Sequence, residues 1–228
     1  MKELSQYLIE AKKKPGVPNE FDNEYIQLTQ DYLDILDADQ VHQRILKAIQ
    51  ETNKILAKIR DIIGIDIALE VFKGQAIGRI VEYNLVKTMN GCAGFKFFHG
   101  SENKNHKDLE CEKIGKSLSD KYDTLKVSPS NTFDSKNPHS YGIELKFATT
   151  SNVAGNKAYV IDKPDENSKK DKYSFYILIT NGKITNDLQI SLDYDASFCY
   201  LTQSDWEYGE KGSFAKPHVI EDRLIKIY

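Results

Sequence analysis

The chain has 228 residues, 40% hydrophobic and 29% charged, which is enough apolar material to bury a core without disulfides or a structural metal. Its formal net charge of -3 neither demands nor excludes a nucleic-acid partner, since such binding depends on where Lys and Arg cluster. Apolar runs such as 175–179 fall far short of the roughly 20 residues of a bilayer span. The three cysteines, Cys92, Cys111 and Cys199, are widely spaced, and no basic leader with an apolar stretch opens the chain, so a reduced, cytoplasmic protein is expected.

In chain order, residues 13–18 (Lys-Lys-Pro-Gly-Val-Pro) read as a turn or linker, and 20–36 has helical spacing. Val41, Ile45, Ile49, Leu56, Ile59 and Ile63 recur at intervals of three, four and seven with charges between them, which predicts a long amphipathic helix. Asp37 or Asp39 would cap it and Gly64 would end it. A second helix is predicted over about 75–89, with Ile77, Val81, Leu85 and Met89 on one stripe and a stop at Asn90-Gly91. Beyond Gly91 the composition turns to Gly, Asn, Lys and aromatics, and from about 142 to short strand-like runs. Residues 142–150 form one candidate strand; 173–180, then Asn181-Gly182, then a run from Lys183 carry a hairpin signal. Residues 162–172, polar and charged around Pro164, read as a solvated loop, and 223–228 as a closing strand. The pattern predicts one α/β domain of α+β character: residues 1–70 mainly helical, and 71–228 a mixed sheet flanked by helices.

The stretch richest in chemistry runs from Asn131-Thr132-Phe133-Asp134 through a polar turn to Tyr141-Gly142-Ile143-Glu144-Leu145-Lys146-Phe147. On a strand, alternate side chains share a face, so Glu144 and Lys146 point one way and Ile143, Leu145 and Phe147 the other. Asp134 precedes Glu144 by ten positions, and a hairpin-like reversal between them would bring both carboxylates to one point. Magnesium prefers oxygen ligands and keeps several waters, so Asp134, Glu144 and the Leu145 carbonyl, completed by a phosphate oxygen, would suit it. Lys146 would then orient the attacking water and offset charge building on the phosphate. The plainer reading is a surface ion pair of little energetic consequence.

Other groupings are weaker. Cys92, His99, His106 and Cys111 match no standard zinc spacing and read as scattered side chains of a polar loop. The glycines at 74 and 78 lack the Lys-Ser/Thr of a phosphate loop. After the candidate strand, Thr150, Ser151, Asn152, Asn156 and Lys157 offer hydroxyl, amide and ammonium groups suited to a DNA groove, where Asn reads adenine and Lys meets phosphate; a solvated loop has the same composition. Lys54, Lys58, Arg60 and Arg79 read as solvent-facing helix charges.

The Asp, ten positions, then Glu-x-Lys on a strand resembles the PD-(D/E)xK nuclease superfamily, in particular its blunt-cutting type II restriction endonucleases. Asp134 with Tyr141-Gly142-Ile143-Glu144-Leu145-Lys146 is similar in spacing and character to the active-site segment of that group, and Lys216-Pro217 with Ile225-Lys226-Ile227-Tyr228 to a C-terminus found in it. Gly74-x-Ala76-x-Gly78-x-x-x-Glu82 resembles a helix that precedes the catalytic core. Thr132-Phe133 stand where the family has Pro, and 149–159 lacks histidine, so no recognition sequence is carried over. The resemblance implies a restriction-endonuclease-like mixed sheet, catalysis by Asp134, Glu144 and Lys146, magnesium held by Asp134, Glu144 and the Leu145 carbonyl, and Glu82 as an accessory ligand. It also implies double-stranded DNA as substrate, a homodimer formed through the helical N-terminal part, a prokaryotic cytoplasm and a companion DNA methyltransferase acting on the same sequence. Two other classes share these features: a structure-specific repair or junction-resolving nuclease, and a non-enzymatic DNA-binding protein with an incidental acidic cluster.

Overall fold

A computed structural model describes residues 22–72, 74–99, 108–122, 126–128, 131–132, 141–150, 155–156, 174–201, 205–208, 214–217 and 221–228. The segments 13–18 and 162–172 lie outside the described residues. Four helices come first: α1 (Asp22–Leu36), α2 (Ala38–Ile63), α3 (Ile65–Val71) and α4 (Gly74–Met89). Short strands β1 (Phe98–His99) and β2 (Leu109–Glu110) lead to α5 (Glu112–Tyr122), then to β3 (Lys126–Ser128), β4 (Asn131–Thr132), β5 (Ile143–Phe147) and β6 (Gly155–Asn156). Five strands follow, β7 (Ser174–Thr180), β8 (Asp195–Leu201), β9 (Trp206–Tyr208), β10 (Phe214–Pro217) and β11 (Ile225–Lys226), the last preceded by a 3-10 turn over Glu221–Arg223. The protein is thus mixed α/β with a helical N-terminal region.

Of the two candidate caps, Asp37 starts α2. It adopts φ 64° and accepts hydrogen bonds from the Asp39 and Gln40 amides at 3.1 and 3.3 Å, while Asp39 is the acidic residue of the first turn. Gly64 ends the helix at φ 83°, a left-handed conformation that costs glycine little. The chain then turns into α3, which the sequence pattern did not indicate.

Six of the described strands pair in the order β1-β2-β5-β7-β8-β11. β5 and β7 run parallel and the other neighbours antiparallel. β7 lies in the middle, and Phe175 to Ile179 are buried on both faces, which explains why 175–179 is a continuous apolar run instead of an alternating one. One face of the sheet carries Ile143, Leu145, Phe175, Ile177, Phe198 and Tyr200, all buried with the helical residues in the main core. Each such side chain contributes on the order of 1.5–3 kcal/mol by leaving water. The stripe of α1 belongs to this core. Tyr32 meets Phe175 edge-on at 4.4 Å and donates through its hydroxyl to the Tyr141 carbonyl at 2.8 Å. The opposite face carries Glu144 and Lys146 beside Tyr176 and Leu178, their register partners.

The hairpin expectation needs correction. β7 does pair antiparallel with the strand that follows, but that strand is β8 and the register begins at Thr180↔Asp195. Residues 181–194 form the connection, with an Ile184↔Ile190 bridge inside it. Asn181-Gly182 is shaped by a different demand: a Cβ on Gly182 would collide with the Phe147 ring at the end of β5. The glycine makes room for an aromatic side chain and does not close a two-residue turn.

Candidate active site

The site forms where β5 borders β2. Leu109 pairs with Ile143, and just before β2 the Asp108 carboxylate accepts a hydrogen bond from the Leu145 amide at 2.9 Å. A strand residue presents its N–H and C=O to the same side, so the Leu145 carbonyl opens onto the edge where Asp108 sits. Strand alternation puts Glu144 and Lys146 on one face, and the Lys146 ammonium lies 3.4 Å from Glu144 Oε2 and 4.0 Å from Asp108 Oδ2. Helix α4, packed against α2 and β5, supplies Glu82. The helix lies against the end of β5 at Gly78, where a Cβ would stand in ordinary contact with the Phe147 carbonyl oxygen at 3.5 Å.

Among the described residues three carboxylates act on the Lys146 ammonium, and the protonation of Glu82 and Lys146 reflects it. Burial pushes the Glu82 carboxyl up to about 7; Lys146 and Arg79 pull it down, while Asp108 and Glu144 push it up further. For Lys146, burial opposes the charge, yet Glu144, Asp108, Glu82 and Tyr176 outweigh it and raise the ammonium above its ordinary range. Lys146 is consequently a fixed cation at neutral pH, not a proton acceptor.

Among the described residues no three His, Cys, Asp or Glu side chains make a ready metal cage. The donor set nevertheless fits magnesium, which is commonly held by one or two carboxylates with substrate phosphate and water completing its shell. Asp108, Glu144 and the Leu145 carbonyl supply hard oxygens of the kind a divalent cation takes. Zinc at Cys92 fits poorly: burial pushes that thiol up to about 11, and its Sγ donates to the Leu36 carbonyl at 3.4 Å. His106, the third member of that grouping, lies outside the described residues.

Of the residues singled out in the sequence, the structure brings Glu144, Leu145, Lys146 and Glu82 together. Asp134, Ser151, Asn152 and Lys157 lie outside the described residues. Thr150 is exposed shortly after β5, and its carbonyl accepts from the Asn181 amide at 2.9 Å. Asn156 belongs to a separate three-stranded sheet, β6-β10-β9. Two neighbours of the site were missed. Asp108 stands 36 positions before Glu144, beyond the reach of a local motif, and its only signal was a place at the head of the short run Leu109-Glu110-Cys111. Tyr176, opposite Glu144 in the parallel register, was read only as part of an apolar strand. Compared with protein-family models, with curated proteins and with solved structures, the chain finds no match.

Proposed function

We propose that the protein is a magnesium-dependent type II site-specific deoxyribonuclease with a restriction-endonuclease-like core. It would hydrolyse double-stranded DNA at a short palindrome to 5′-phosphate and 3′-hydroxyl ends, cutting blunt. The observation that carries this reading is the convergence of Glu144 and Lys146 on β5 with Asp108 at its edge. Both carboxylates lie within reach of one ammonium, at 3.4 and 4.0 Å, and a divalent cation between hard oxygens of this kind would offset the negative charge gathered there.

Asp108, Glu144 and the Leu145 carbonyl would hold magnesium, with Glu82 accessory. When bound, the ion would lower the pKa of the attacking water and neutralise charge developing on the phosphate. Lys146, kept protonated by its acidic neighbours, presents a fixed positive charge to the phosphoryl oxygens and needs no reorganisation as the reaction proceeds. The hydrogen bond from the Leu145 amide fixes the Asp108 carboxylate, so that its second oxygen is aimed before substrate arrives. The same reading carries a homodimer on palindromic DNA, a prokaryotic cytoplasm and a companion methyltransferase that protects the host sequence.

The test is cleavage of a mixed-sequence plasmid with magnesium, followed by sequencing of the ends. Discrete fragments with uniform ends are expected from the wild type. Glu144→Ala and Lys146→Ala should each lose at least about 100-fold in rate with an unchanged melting temperature. Full activity in either variant would sink the assignment.

A further inference from the structure

The outward face of α4 carries a feature that the active site does not use. Arg79, Tyr83 and Lys87 follow one another at intervals of four and so stack on one face of the helix. All three are exposed, Tyr83 to 57%. The Lys87 ammonium lies over the Tyr83 ring, 4.1 Å from its centroid. The ring braces a long side chain that would otherwise sample many rotamers, and it does so without neutralising the charge. Among the described residues neither Arg79 nor Lys87 forms a salt bridge. The stripe runs over nine residues, eight helical steps or about 12 Å. One strand of a duplex presents three to four phosphates over that axial length, at about 3.4 Å each. The opposite flank of α4 packs Ile77, Val81, Leu85 and Met89 into the core, so the stripe rides on a rigid element.

We propose that Arg79, Tyr83 and Lys87 form a backbone-binding rail for duplex DNA that leads into the carboxylate site. The inference rests on the nuclease reading for its partner, and charge complementarity to a polyanion carries it: in a chain of net charge -3, this face is cationic and aromatic, and carries no acidic residue among the three. It is continuous with the site. Arg79 lies one turn before Glu82 on the same helix and draws that carboxyl down, so a phosphate held by Arg79 would neighbour the one presented to Lys146. The rail positions DNA and reads no sequence, as expected of contacts to phosphate.

The experiment is a salt titration of binding to a short mixed-sequence duplex in magnesium-free buffer. Each phosphate contact removed should lower the slope of log affinity against log salt by about 0.9. Arg79→Ala and Lys87→Ala should each show that loss and the double variant about 1.8, with the helix signal and melting temperature retained because alanine favours helix. Tyr83→Leu should weaken binding while Tyr83→Phe, which keeps the ring, should not. A wild-type slope in the Arg79→Ala/Lys87→Ala protein overturns the rail. The outcomes separate from those of the nuclease reading. Duplex binding with the expected slope changes but no cleavage by the wild type would leave the rail standing and remove the enzyme. Cleavage that survives Glu144→Ala would remove the site assignment alone.

Discussion

Asp108 joins Asp134 as a candidate carboxylate for the metal. Asp108 is tied to the backbone of the strand that carries Glu144 and Lys146, while Asp134, chosen on its spacing of ten positions and on the family resemblance, lies outside the described residues. Asp108→Asn is expected to abolish cleavage; magnesium-dependent plasmid nicking by Asp108→Asn and Asp134→Asn decides which carboxylate serves, and full activity in Asp108→Asn with none in Asp134→Asn would give the role to Asp134 alone. Glu144 and Lys146 were legible in the sequence because strand alternation is local and has a period of two. Glu82 was legible through a helix resemblance. Asp108 was not, since a contact between residues 108 and 145 arises from sheet pairing, and no pattern within a short window encodes which strands become neighbours.

The long helices could be read from periodicity because their buried faces repeat: α2 buries Val41, Ile45, Ala48, Ile49, Thr52 and Leu56, most of the predicted stripe, while β7 was legible as a continuous apolar run. α5 escaped the reading although Ile114, Leu118 and Tyr122 are buried at intervals of four, because Gly115 and the serines around them mimic loop composition. That helix is fastened to α1 by Asp31, whose carboxylate accepts from the Tyr122 hydroxyl at 2.6 Å and pairs with Lys121. Partial burial raises the Asp31 carboxyl, but the hydrogen bonds from Lys121, Tyr122 and Gln27 prevail and hold it below its usual 3.8. With the folded value depressed, its contribution is complete above about 3.8 and disappears as pH falls through the folded value. Asp31→Ala should therefore cost roughly 1–3 kcal/mol near neutrality and reduce the difference from wild type in strong acid. Urea denaturation at several pH values measures both. Gly182 fixes a second junction, between β5 and the loop after β7. Gly182→Ala should destabilise the fold by about 1–3 kcal/mol through overpacking against Phe147, seen in thermal melts, and should slow cleavage by disturbing the end of the site strand. A melt indistinguishable from wild type would show that the Phe147 ring can move aside at no cost.

At the scale of the whole molecule, the N-terminal helices do more than flank the sheet. Tyr25, Leu28, Tyr32, Val41, Ile45 and Ile49 are interior residues of the same core as β5, β7 and β8, so 1–70 is not free to serve as an interface across its entire surface. Among the described residues of this region, large apolar side chains are most exposed at the far end of α2 and on α3, where Ile62, Ile67 and Val71 are open to 81%, 56% and 58%. If the homodimer proposed above forms through the helical region, this is the stretch that it would cover. Sedimentation should give a dimer for the wild type and a monomer for Ile62→Glu/Ile67→Glu; a dimer that survives the double substitution would place the interface elsewhere. How two copies meet was never open to a reading of one sequence, because no contact within the chain reports on it.

The order in which the strands lie along the chain also sets a timetable. β5 carries Glu144 and Lys146, but its parallel neighbour β7 begins at Ser174 and the strand beyond that, β8, ends at Leu201. A ribosome has therefore made most of the polypeptide before β5 gains its parallel neighbour, and pairings between strands so far apart in sequence close late and slow folding. On the nuclease reading proposed above, such a delay would be protective: unfinished chains would be harmless, and the interval between translation and activity would be time in which the proposed companion methyltransferase could act on the host sites.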